Sequence, residues 1–144
     1  ASNQRPSSIP PADYGGNIDL RNLTVESTLF LPVQIEGAGL YIGNPHFTQG
    51  NGEVSLTALE ASLRATLRVQ VVPTAEAKRL FGRTDLPFAI SHGTLIPMGF
   101  SSTLDDALSQ SVEHAIDMIT AMFEMPRQQV YLLLSAAIDF DASR

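Results

Sequence analysis

The apolar and polar positions divide the chain into a strand-rich body and a helical end. Leu63, Ala65, Leu67, Val69 and Val71 alternate with Ser62, Arg64, Thr66, Arg68 and Gln70. A period of two over that span predicts a half-buried strand with its arginines on the wet face. Shorter β-rich runs precede it. "DYGGNIDLRNLT" reads as a Gly-Gly turn and a short strand, "STLFLPVQI" (27–35) as a strand with Pro32 at an edge or bulge, and "GLYIG" (39–43) as a strand between glycines. Beyond the alternating segment, "FAIS" (88–91) and "TLIPMGF" (94–100) read as two strands around a His92-Gly93 turn. From Leu104 the period changes. Leu104, Ala107, Leu108, Val112, Ala115, Ile116, Ile119, Met122 and Phe123 recur at three- and four-residue spacing, which predicts an amphipathic helix. Ser102 and Asp105 resemble its capping box, and Pro126 takes the favoured first position of a second helix. His114 falls beside Glu113 on the polar side and reads as a surface histidine. Strands first and helices last predict an α+β fold: an antiparallel sheet or sandwich with two C-terminal helices packed on one side.

Composition narrows the function classes. With 144 residues the chain suffices for one domain with a core. Residues 1–12, polar and proline-rich, read as a linker or processed end, leaving 13–144 as the domain. Charged residues make up only 17%, which suggests surface buried in a larger assembly. The net charge is −6 and the nine basic residues are scattered, so no nucleic acid is expected as a partner. No cysteine is present, which removes thiolate nucleophiles and cysteine zinc sites. No apolar run approaches the ~18 residues of a membrane helix, so no membrane is expected and the location is read as cytoplasmic.

Candidate chemistry concentrates in "NPHFTQGNGEV", residues 44–54. Glycine and asparagine around Gly50, Asn51 and Gly52 make good turn chemistry. A plain hairpin turn leaves Asn44, His46, Gln49 and Glu53 without a reason to be gathered there. His46 can serve as a base or metal ligand, and Glu53 as base, nucleophile or ligand. One histidine and one glutamate do not by themselves choose between these roles. Elsewhere, Asp139 and Asp141 follow the second helix and are within possible reach of a site, whereas Ser55 and Thr57 read as strand-face residues.

The stretches "GGNID" (15–19), "STLFLPVQIEGAGLYIGNPHFTQGNGEV" (27–54) and "LLLSAAIDF" (132–140) together resemble the acetamidase/formamidase family. The core of the likeness is the spacing G-x-x-H-x-x-Q-G-x-G-E, and it covers most of residues 10–140. The resemblance implies hydrolysis of small amides to a carboxylate and ammonia. It implies that His46, Gln49 and Glu53 are catalytic and that Asn17, Asp19, Asn44, Gly50 and Gly52 line the substrate site. It also implies a divalent metal ion, zinc or calcium, near His46, Asn44 and Glu53, and no organic cofactor. Family members usually carry aspartate where this chain has Asn44 and Asn51. Because Pro45 favours extended backbone before it, Asn44 is expected to share a face with His46. Family chains are about twice as long, and the likeness is to their C-terminal half. Expected partners are therefore the N-terminal half or a companion subunit, a small amide, and further copies of the chain. Two alternatives are a scaffold that keeps the family fold without catalysis, and a hydrolase of larger or cyclic amides.

Overall fold

The computed structural model describes Ser7 and residues 9–143, so most of the segment read as a linker lies outside it. Its elements are β1 (Thr28–Phe30), β2 (His46–Thr48), β3 (Leu59–Glu60), α1 (Thr74–Phe81), β4 (Phe88–Ser91), β5 (Thr94–Pro97), α2 (Leu104–Phe123) and α3 (Arg127–Ala137). β1, β4 and β5 form an antiparallel sheet in that order, and β2 pairs with β3 in a separate ribbon. The fold class is therefore α+β. Among the described residues the two sheets do not pack on one another, so no sandwich closes.

The larger sheet follows from its turn. Ser91 pairs with Thr94, leaving a two-residue loop in which His92 (φ 47°) and Gly93 (φ 80°) are both left-handed. That is the backbone of a type I′ hairpin, whose twist matches the strands it joins. The expected strand pair is present. Phe30 lies opposite Phe88 in the register, and their rings stack at 4.3 Å. Phe81 of α1 leans on both, at 5.2 and 4.9 Å, and locks α1 to the sheet.

α2 is the central element. Thr103 caps it by accepting a hydrogen bond from the Asp106 amide, one residue later than the Ser102–Asp105 pairing expected. Ala115 and Ile116 pack against Val130 and Leu134 of α3, with Val112, Ile119 and Met125 around them. A side chain of that size contributes about 1.5–3 kcal/mol when fully buried. Pro126 caps α3 from just outside rather than standing as its first residue. Arg127 ties the start of α3 to Asp117 and Glu113 of α2. Gly99 lets the chain leaving β5 press on α2, because a Cβ there would overlap the Ala107 carbonyl oxygen.

His114 is a correction to the sequence reading. It is fully buried, not on the surface, and together with Met118 it fills the face of α2 turned away from α3. Helical periodicity finds one apolar stripe, but this helix is covered on more than one side. The polar requirement is met locally: Nδ1 lies 3.0 Å from the Met98 carbonyl and donates to it, and Phe88 meets the imidazole edge-on. Nε2 has no partner.

Three expected strands are absent as paired elements. Residues 13–24 form turns, and 39–43 and 61–72 belong to no ladder. Leu67 and Val71 of the alternating segment are 52% and 84% exposed, so its apolar face covers nothing within this chain. The pattern supplies the extended backbone, but a strand also needs a neighbour with free amides. α1 was not anticipated, since in eight residues it has only a short apolar set against α2.

Burial of His114 depresses its pKa below the ordinary 6.5. Below that value the unfolded chain therefore binds a proton that the folded chain refuses. Stability should be full above about pH 6.5 and fall as the pH drops below it, by at most about 1.4 kcal/mol per pH unit for one proton. Urea unfolding between pH 7.5 and 5.5 checks this, and His114→Leu should lose that part of the pH dependence.

Candidate functional site

The turn that opens the site is built from residues 50–53. Glu53 N–H donates to the Gly50 carbonyl at 3.3 Å, and Gly52, with φ 78°, supplies the positive φ that a type II turn needs at its third position. The turn does not join strands tightly, since ten residues separate β2 from β3. It tucks the Glu53 side chain inward, where the residue is 7% exposed. Three residues of this region, Asp19, Asn44 and Glu53, are non-glycines with φ of 44°, 56° and 37°. Left-handed backbone of this kind costs free energy and persists only where the surroundings impose it.

Hydrogen bonds around Asp19 supply that imposition. Its carboxylate accepts from the amides of Asn17 and of Asn44, the latter at 3.4 Å. Its carbonyl accepts from Gln49 Nε2 and from Ser143 Oγ. Because the Gln49 NH2 group faces Asp19, its oxygen is turned to His46 Nδ1, 3.2 Å away. An amide oxygen can only accept, so Nδ1 donates to it, and Nε2 is the nitrogen left facing the carboxylates. Gln49 thus fixes the orientation of the His46 ring.

Nε2 is buried and has no hydrogen-bond partner. Glu53 Oε1 lies 4.0 Å from it and Glu60 Oε2 lies 3.2 Å from it. Donor atoms of Asp19, His46 and Glu53 all fall within 4.8 Å of one another. Burial, then the negative charge of Asp19, raises the pKa of Glu53, and Glu60 adds to the rise. Carboxylate oxygens directed at one small volume repel one another unless something positive lies among them. The donor set of one imidazole and two carboxylates fits a divalent metal ion.

The residues singled out in the sequence separate into two groups. His46, Gln49, Glu53, Asn17, Asp19 and Asn44 come together through the bonds just described. Gly50 and Gly52 shape the turn. Asn44 departs from expectation: its backbone is left-handed rather than extended, because its amide reaches back to Asn17 Oδ1 at 3.3 Å and to Asp19. Asp19 joins His46 and Glu53 in the metal-type cluster, and Asn44 stands beside it through its bond to the Asp19 carboxylate. His92 is elsewhere, 3.2 Å from Thr24 Oγ1. Two contributors escaped the sequence reading. Glu60 is brought opposite His46 by the β2–β3 register. Its only signal was being the sole acid between Glu53 and Glu76. Ser143 arrives from the far end of the chain, whereas Asp139 and Asp141 remain exposed. Two surface concavities, of about 450 and 610 Å3, lie around Arg83 and do not include the cluster.

The sequence profile described as the Acetamidase/Formamidase family matches residues 1–142. The chain belongs to that family. It is 47% identical over 47 residues to a formamidase of Methylophilus methylotrophus, a stretch that is 33% of this chain and 12% of that one. It is 44% identical over 54 residues to an acetamidase of Mycolicibacterium smegmatis, covering 38% of this chain and 13% of that one. The aligned stretches are thus a small part of these longer relatives. No solved structure matches the chain. No helix among the described residues of this acetamidase/formamidase chain is long and apolar enough to cross a membrane.

A raised carboxylate pKa destabilises the metal-free fold as pH rises. Glu53 contributes fully to stability below its ordinary 4.5, and that contribution is lost as the pH climbs through its raised folded value. Glu53→Gln removes the repulsion from Asp19 and keeps the shape. It should raise the urea midpoint of the metal-free chain at pH 7 and leave it little changed at pH 4.

Proposed function

We propose that this site hydrolyses small amides to a carboxylate and ammonia, and that it does so with a divalent ion. One observation carries the reading: the buried Nε2 of His46, which makes no hydrogen bond, is oriented by Gln49 and faced by Asp19 and Glu53. Family membership and the formamidase and acetamidase relatives support the reaction class. Asp19 and His46 would hold the ion and Glu53 would border it. When bound, such an ion supplies electrophilic polarisation of the amide carbonyl. An imidazole nitrogen in the donor set favours zinc over calcium, which prefers oxygen donors throughout.

The residues of this chain then divide the work. Glu53, with its raised pKa, takes a proton from the attacking water, whose oxygen bonds to the carbonyl carbon. The same carboxyl returns that proton to the nitrogen as the C–N bond breaks, and ammonia departs. Gln49 has one amide hydrogen committed to Asp19 and its oxygen to His46, so it positions the imidazole. Oxyanion donors come from backbone amides or from outside this chain.

The remainder of the family fold is the companion this reading requires. Residues 61–72 belong to no ladder and their alternating apolar side chains are exposed. Strand pairing by that companion along 61–72 would supply the missing ladder.

Ammonia release from formamide and acetamide, measured with and without a chelator, tests the proposal. Chelation should abolish turnover, zinc should restore it, and Glu53→Gln should lower it by about 10²–10⁴-fold. Turnover indifferent to both chelation and Glu53→Gln overturns the reading. Asn44→Asp places a carboxylate beside Asp19 and should tighten zinc binding about tenfold, read by competitive titration.

A further inference from the structure

Glu60 belongs to neither the family core spacing nor the Asp19–His46–Glu53 cluster, yet it makes the closest approach to His46 Nε2 of any acidic oxygen, 3.2 Å. We propose that Glu60 is a further metal ligand of this site, carried on β3 and closing on the ion through Oε2. The inference rests on the metal-dependent reading above.

Three observations carry it. First, Nδ1 is engaged by Gln49, which leaves Nε2 turned to the carboxylates, and Glu60 Oε2 faces it at 3.2 Å without a hydrogen bond. An imidazole nitrogen and a carboxylate oxygen presented to each other in this way are both ligand types of a divalent metal site. Second, the separation suits such a centre. Adjacent ligand atoms on an ion with bonds of about 2.0–2.1 Å lie about 3.0–3.4 Å apart in octahedral or tetrahedral geometry. Third, the two oxygens of Glu60 have different surroundings. Oε1 accepts from Thr57 Oγ1 and from the Ala58 amide, each at 3.3 Å, while Oε2 is the one presented to His46. The β2–β3 register, His46 opposite Glu60, with a bulge immediately after His46, fixes this placement from the backbone. The Glu60 side chain is half exposed and reaches the site from the solvent side.

Titrations of the metal-free chain with zinc chloride, and separately with cobalt(II) chloride, test the proposal. The proteins are wild type, Glu60→Gln, and Glu113→Gln as a control for loss of one negative charge on α2. Wild type and Glu113→Gln should bind alike, and Glu60→Gln should bind about 10–100-fold more weakly. At saturating cobalt the visible absorption of Glu60→Gln should differ from wild type, because the ligand set differs. Equal affinity in Glu60→Gln overturns the proposal. Weaker affinity with an unchanged cobalt spectrum also overturns it, and makes Glu60 a positioning residue for His46. If wild type takes up neither ion, the metal-dependent reading fails and this inference falls with it.

Discussion

Electrostatic repulsion is the constraint on which the site depends. Asp19, Glu53 and Glu60 are drawn toward one imidazole, that of His46. Nothing in the local covalent chemistry favours that gathering. It is held by hydrogen bonds placed behind the charged groups: Asn17 and Asn44 on the Asp19 carboxylate, Gln49 and Ser143 on its carbonyl. The left-handed backbone at Asp19, Asn44 and Glu53 is the conformational consequence.

Gln49 has the most economical role in this arrangement. Its two ends cannot be exchanged, since the NH2 group must face a carbonyl and the oxygen must face an N–H. One side chain therefore links the loop carrying Asp19 to the ribbon carrying His46, and selects which imidazole nitrogen is free. The helical end of the molecule contributes differently. α2 with its buried His114 and Met118 makes a packed block with the three-stranded sheet, and the chain beyond α3 returns to the Asp19 loop through Ser143.

The unpaired segment 61–72 places the site in a larger context. Its sequence alternates as a strand should, but among the described residues it pairs with no other strand. The aligned stretches make up only 12–13% of the formamidase and acetamidase described above. Apolar residues over 33–72, Tyr41 and Val54 among them, are exposed in this chain.

Much of this was legible in the sequence, and the limits have physical causes. The α+β class, the His92-Gly93 hairpin and the two C-terminal helices follow from local periodicity and turn chemistry, which act within a few residues. The spacing of His46, Gln49 and Glu53 identified the turn that matters, because glycine and asparagine must supply its left-handed backbone close to the polar groups. Only the tertiary structure could bring Asp19 into the cluster, set Glu60 against His46, or bring in Ser143 from 124 residues away. It also decided that His114 is interior, because the faces of a helix that are covered depend on neighbours its own period does not encode. Strand register and helix layering are long-range matters. The amino-acid pattern specifies which side chains can be paired, and the fold decides which are.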